Sequence, residues 1–267
     1  MKRLRRFRLF VAVLPVVLGI VALKVAVHAM GWEFLALDGL IPSLVAGAIF
    51  LIGFLLSHVL SDYKEAERTV SEMRVALEAI HGDIQAFAQG RPGIDPRRYR
   101  AALIEIVTVF EVCLGREHAH GDLTPAIARV DALDGVFAEL ERAQMSERYL
   151  VRMRNAHDSL RRAVFRVAYI QRMQFVPSVH VMVQTLVLSC LFVMLFLRTA
   201  ALLEGALIIA FVAYMFVYAI FLVRHLEKPF RKGEGTVDDV SIFLLRDFAA
   251  KVAASPDVAA GAARAAG

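Results

Sequence analysis

The chain has 267 residues, 58% of them hydrophobic and 21% charged, with a mean hydropathy of +0.57. Such values exclude an ordinary soluble domain, yet the charged share requires a sizeable aqueous part beside any membrane part. The net charge of +5 sits in the tails, because residues 61–176 balance 17 Lys+Arg against 17 Asp+Glu, a placement that suits anionic lipid headgroups rather than nucleic acid.

Residues 1–30 hold a first predicted span. Its apolar run, Leu9 to Met30, is interrupted only by Lys24 and His28. The basic start and Val27-His-Ala29 resemble a secretory signal with a weak cleavage site, but three later spans point to a retained helix. Lys24 and His28 lie one turn apart in the outer half of the span. An ionisable residue inside a membrane is a candidate for an ion pathway, and snorkelling to the interface is the structural alternative. The linker 31–41 contains Glu33 and Asp38 and no Lys or Arg, so it reads as external.

The second span, residues 42–60, is the most informative stretch. From Leu40 to Leu60 no residue carries a formal charge, which is long enough to cross a bilayer core. No Gly or Pro follows until Gly82, so one helix is predicted to leave the membrane and continue into water. Within the span, Ser43, Gly47, Phe50, Phe54, Ser57 and Ser61 are spaced by four and three and share one face. Counted from Pro42, Phe50 lies about 12 Å deep and Phe54 about 18 Å, bracketing the middle of a ~30 Å core. Two readings fit: a packing seam of small residues, or a pore-lining face with hydroxyls at its mouths and an apolar constriction at mid-depth. Asp62 and Glu65 would stand at the inner mouth.

Residues 61–176 read as a cytoplasmic insert of about four helices. The extension of the second span carries Val70, Met73, Leu77, Ile80, Ile84 and Phe87 at spacings of three and four. Asp95-Pro96 predicts a capped start for a helix lined by Leu103, Val107, Phe110 and Leu114 and ended by Gly115. Thr124-Pro125 predicts a second capped start, for one helix with Ile127, Val130, Phe137 and Leu140 on its core side. Ser146 opens the last segment, with Leu150, Met153, His157, Leu160, Val164 and Val167 in register. That segment is rich in arginine, and the extension of the second span leans acidic. The two are therefore predicted to pack antiparallel, with the arginines, Arg161 and Arg162 among them, on the acidic helix 62–83 and partly facing anionic lipid.

Residues 177–197 and 206–223 form the third and fourth predicted spans, joined by a short external loop with Arg198. Residues 224–267 form an inside tail whose last dozen residues look disordered. Lys and Arg gather at the start, in the insert and after the fourth span. Both termini are thus predicted to be cytoplasmic and the chain to lie in a cell inner membrane. The fold class expected is all-α, a four-span integral membrane protein with a cytoplasmic helical bundle. Cys113 and Cys190 lie in unrelated segments and fit a reducing compartment without a disulfide.

Catalytic signatures are missing: there is no P-loop, GxSxG, HExxH or CxxC pattern, so neither an enzyme nor a cofactor is expected. Glu117-His-Ala-His120-Gly-Asp122 places His118 and His120 beside two carboxylates, the donors of a weak cation site, though such pairs also occur on solvated loops. Tyr214 and Tyr218 share a face of the fourth span, where interhelical hydrogen bonding is the modest reading.

Two patches resemble the bestrophin and bacterial bestrophin-like membrane proteins. The first is Phe50-Leu-Ile-Gly-Phe54, followed by Asp62-Tyr-Lys-Glu-Ala-Glu67. The second is Glu227-Lys-Pro-Phe230 with Gly233 and Asp238-Asp239. The order of parts is similar too: two spans, a helical insert, two spans and an inside tail. The paired Trp of bestrophins at the inner mouth is replaced by Tyr63-Lys64, and the acidic tail is thin. What the resemblance implies is a homo-oligomeric passive ion channel, pentameric in bestrophins, with the second span lining the axis. Phe50 and Phe54 would match the hydrophobic neck, and Ala46 its third position. The expected partners are copies of the chain, inorganic ions and anionic headgroups. The reading from another class is a membrane-anchored scaffold or sensor whose helical bundle binds a protein.

Overall fold

The computed structural model describes residues 8–36, 39–89, 95–115, 122–172, 177–199, 201–227, 229–230 and 240–255. Among them the chain forms nine α-helices and one isolated β-bridge, between Leu35 and Leu197. The helices are α1 (Arg8–Ala29), α2 (Leu40–Ala88), α3 (Pro96–Gly115), α4 (Thr124–Asp131), α5 (Leu133–Arg142), α6 (Glu147–Arg172), α7 (Pro177–Leu195), α8 (Leu202–Leu226) and α9 (Phe243–Ala253). Two units divide the chain, with α2 passing from one to the other: Met1–Tyr63, Gln174–Pro229 and Thr236–Asp239 form the first, and Lys64–Met173, Phe230–Gly235 and Val240–Gly267 the second.

The first unit is apolar. Its core gathers Val13 and Val17 of α1, Ala48, Ile52 and Leu55 of α2, Val187 and Cys190 of α7, and Ala213 and Phe216 of α8. Three helices are long and apolar enough to cross a membrane, α1, α2 and α8, and α7 holds a shorter apolar run, Val181–Leu195. Only 22 to 28% of the apolar windows of those three is buried inside the chain. The remainder needs lipid or another protein surface to cover it. Leu203, Leu207, Phe211 and Met215 show this on α8, recurring every fourth residue and all exposed. Tyr214 and Tyr218 stack, with ring centroids 5.7 Å apart.

The second unit is an amphipathic helical bundle, and the predicted seams are its core. Val70, Met73, Leu77, Ile80 and Ile84 of α2 are buried, as is every predicted seam position of α6 from Leu150 to Val167. Asp95 caps α3 as expected, its Oδ1 accepting the Arg97 N–H at 2.9 Å. The segment after Thr124 departs from expectation in two ways. Thr124 is not a cap; its own N–H donates to Asp122 Oδ1 at 3.0 Å, and Leu123 takes the cap position. The single predicted helix is also two, because Gly135 N–H bonds the Ala132 carbonyl three residues back, a tighter turn that separates α4 from α5. The tail holds a helix that the sequence reading treated only as tail. α9 buries Leu245, Phe248 and Val252, and the last dozen residues lie outside the described ones.

α6 and α2 run antiparallel, as two charge pairs fix. Arg152 Nε donates to Asp83 Oδ2 at 2.7 Å and its Nη2 to Oδ1, while Arg166 reaches Glu65 at 2.6 Å. The other expected donors go elsewhere. Arg161 bonds Asp131 of α4 at 2.8 Å, and Arg162 bonds Ser159 on its own helix. An arginine's reach is set by which neighbour lies beside it, and α4, not α2, faces Arg161.

Asp83 is 5% exposed, so its charge depends on Arg152. Arg152→Met should destabilise the second unit by about 3 kcal/mol, because it leaves a buried carboxylate without its cation. Thermal unfolding in detergent checks this, with Arg148→Met on the same helix as control. Equal midpoints for the two variants would show that the pair contributes nothing.

Candidate functional site

The face predicted from spacing is a face in the structure. Ser43, Ala46, Gly47, Phe50, Phe54, Ser57 and Ser61 are all exposed, with Phe50 at 72% and Phe54 at 63%. The opposite side of the same turns, Ala48, Ile52, Leu55 and Val59, is buried in the first unit's core. At 3.6 residues per turn the two sets stand on opposite sides of the helix. Among the described residues the seam therefore packs against nothing in its own chain. Two rings a turn apart, with hydroxyl and small residues before and after, are open to lipid or to another protein surface. Serines on such a face need hydrogen-bond partners. Ser43 Oγ donates to the Gly39 carbonyl at 2.8 Å, which satisfies it at the start of the helix.

At the lower end of this face Asp62 is exposed, with its Oδ2 3.6 Å from His58 Nε2 one turn back. Glu65 is different. Arg166 bonds it directly, and that hydrogen bond holds its carboxyl below the usual carboxylate range against the opposing effect of burial. Of the two acids expected at an inner mouth, one is thus already neutralised within its own unit.

At the other end Lys24 is 1% exposed, so it does not snorkel. Its Nζ donates to Glu33 Oε1 at 2.7 Å and to the carbonyls of Leu195 and Leu197 at 3.2 and 2.6 Å. Leu195 is the last residue of α7, where a cation is favoured by the helix dipole, and Leu197 follows two residues on in the bridge. His28 Nδ1 lies 3.1 Å from Glu33 Oε2, so one carboxylate holds both candidates of α1. Burial raises the Glu33 pKa. The hydrogen bonds from Lys24 and His28 outweigh it and bring the carboxyl below its ordinary 4.5. The linker folds back to make this contact and is pinned by the Leu35–Leu197 bridge, in which Arg198 N–H donates to the Leu35 carbonyl at 2.7 Å. α8 packs closely here: a Cβ on Gly205 would stand 2.6 Å from Thr199 Oγ1 and 3.1 Å from Lys24 Cε. Only glycine fits.

His118 and His120 lie outside the described residues, and among the described ones no group of three His, Cys, Asp or Glu is placed to hold a metal. Sequence reasoning missed Glu33 as the partner of Lys24. The available signal was a carboxylate in a short linker nine residues beyond an intramembrane lysine.

Comparison with solved structures shows a bestrophin-like fold. A bacterial bestrophin homologue from Klebsiella pneumoniae, solved as single-site variants, superposes with a TM-score of 0.74 at 15% identity, over 90% of this chain and 97% of that one. A second variant gives 0.74 at 16% identity, over 92% and 96%. A crystal structure described as a membrane protein gives 0.69 at 16%, over 94% and 98%. No protein-family model and no curated protein sequence matches the chain.

With Glu33 8% exposed and Lys24 more buried still, Glu33→Ala should destabilise the first unit by about 3–5 kcal/mol, since it strands a buried ammonium. Because the Glu33 pKa is lowered on folding, the pair's contribution is present above the unfolded carboxyl's pKa and is lost as pH falls through the folded one. Thermal melts of wild type and Glu33→Ala should therefore stay apart above the ordinary carboxyl value and draw together as pH falls below it. A constant gap at all pH values would show that the carboxylate's charge is irrelevant.

Proposed function

Proceeding from this bestrophin-like fold, we propose that the chain is a passive ion channel, built from several copies whose α2 helices surround a common axis. The observation that carries the reading is the α2 face: Phe50 and Phe54 exposed between hydroxyl and small residues, with the other side of the helix committed to its own core. Copies that bring this face together give two aromatic rings at mid-membrane with Ala46 one turn outward. Gly47 leaves the helices free to approach, and Ser57, Ser61 and Asp62 line the inward side. An ion passing the rings cannot keep its water there, so the closed state is a dewetted barrier rather than a charged plug.

The charges at the ends fit a neutral path. Glu65 is held by Arg166, and Lys24 with His28 by Glu33. The outer pair thus acts as a brace at the mouth, while Asp62 is the acid left nearest the inner opening. On this reading α1, the first part of α2, α7 and α8 are four spans. The second unit and both termini are cytoplasmic, and the membrane is the cell inner membrane, as the Lys/Arg distribution supports. The basic tails meet anionic headgroups. The ligands are inorganic ions, and the reaction is transport without chemistry.

Recordings from reconstituted bilayers test this. Phe50→Ala or Phe54→Ala removes an apolar ring without adding charge and should raise conductance or leak several-fold. Leu207→Ala, on the exposed side of α8, should leave conduction unchanged. If α2 only packs copies together, both Phe variants lose assembly instead, by about 3–5 kcal/mol per buried ring, and carry no current. Negligible and equal currents from wild type and all three assembled variants would overturn the channel and leave a scaffold.

A further inference from the structure

α9 has 11 residues, too few to be helical alone in water, so its order depends on where it docks. It is held at both ends by arginines. Near its start Arg74 of α2 donates to the Leu244 carbonyl, and beyond its end Arg100 of α3 donates to the Ser255 carbonyl at 2.6 Å. Between them Arg246 meets Glu111 of α3 at 2.7 Å, and Lys251 meets Glu78 of α2 at 3.4 Å. Its central anchor is Phe248, fully buried. The Arg74 guanidinium lies over that ring at 5.4 Å, and the His81 ring meets it edge-on at 6.2 Å.

His81 is the one titratable ring against this anchor, and the charges around it are unbalanced. Glu78 faces it from α2, Arg100 from α3 and Lys251 from α9, while Tyr99 and Gln85 line the same small space. Among the described residues Glu78 is the acid that faces it, and Glu78 is already shared between Arg74 and Lys251. A proton on His81 would therefore add a further positive charge beside Arg100 and Lys251 in a half-buried site.

We propose that α9 is a pH-sensitive strap, docked on α2 and α3 while His81 is neutral and loosened when His81 is protonated. Burial, then Arg100 and Lys251, depress the docked imidazole's pKa below its ordinary 6.5. The undocked histidine takes a proton first as pH falls. Docking is thus fully stable above the ordinary value and weakens below it, until the docked ring also protonates. Glu78 of α2, the carboxylate beside His81, does not share this range, since its hydrogen bond from Arg74 holds it below its ordinary 4.5. Strap and switch lie wholly in the second unit and stand independently of the ion-path reading.

Hydrogen exchange on the full chain in detergent, corrected for intrinsic rates, tests the strap. Between about pH 7.5 and about pH 5.5, protection of Leu245 to Val252 should fall roughly three- to ten-fold, while α1 does not change. In His81→Gln the same segment should stay protected at both values. A pH-independent wild type, or an equal fall in His81→Gln, would overturn the proposal. Should His81→Gln lose the strap at every pH, Lys251→Met decides. Removing one of the two cations should shrink the pH effect, and an undiminished effect would overturn the switch.

Discussion

A single helix of 49 residues has to keep one side buried from end to end, and most of the structure follows from that constraint. Ile52, Val59, Ala66, Met73 and Ile80 are all buried and stand seven residues apart. Two turns of an α-helix are slightly longer than seven residues, so such a stripe drifts only slowly around the cylinder. The helix thereby presents one continuous side to its own chain, first to apolar neighbours and then to the amphipathic bundle. In the first unit the opposite side is exposed, with Ser43, Gly47, Phe50, Phe54 and Ser57 along it. Phe50 and Phe54 are exposed because Ile52 and Leu55 are buried.

Around this helix the charges are arranged so that each buried one has a near partner. Asp83 has Arg152, and Lys24 has Glu33 together with the carbonyls of Leu195 and Leu197. Burying any of these alone would cost several kcal/mol, which is why the linker after α1 folds back rather than extending into water. The same rule separates the two acids of the inner end. Glu65 meets an arginine of α6 and is silenced, whereas Asp62, three residues earlier, stays exposed beside His58. On the proposed channel the face would offer an ion mainly hydroxyl groups and aromatic rings, a barrier that acts through water rather than through charge.

Much of the helical plan was legible in order along the chain, and its errors have physical causes. The seams of α2 and α6 were found residue by residue, because a three–four spacing permits only one face to be buried. Arg161, expected on the acidic helix 62–83, bonds Asp131 of α4 instead, because sequence does not say which helix stands alongside. α9 was overlooked because its seam of Leu245, Phe248 and Val252 covers only two turns, short enough to be lost beside an alanine-rich end. Lys24 was read as a choice between pathway and snorkelling. The third outcome, burial against a linker carboxylate nine residues on, needed the chain to fold back.

By itself the sequence determined that the protein is helical, that apolar helices of membrane length coexist with an amphipathic bundle, and which residues share each face. Those properties depend on composition and on period, and both are local. Only the tertiary structure decided which face is used. It turned Ile52 and Val59 inward and left Phe50 and Phe54 outside, closed Glu33 on Lys24, and tied α9 to α2 and α3 through Arg74, Arg100 and Phe248. Each of these outcomes pairs residues from distant stretches, and the partner is selected by proximity and by the cost of leaving a charge or a ring uncovered. No local pattern encodes that choice.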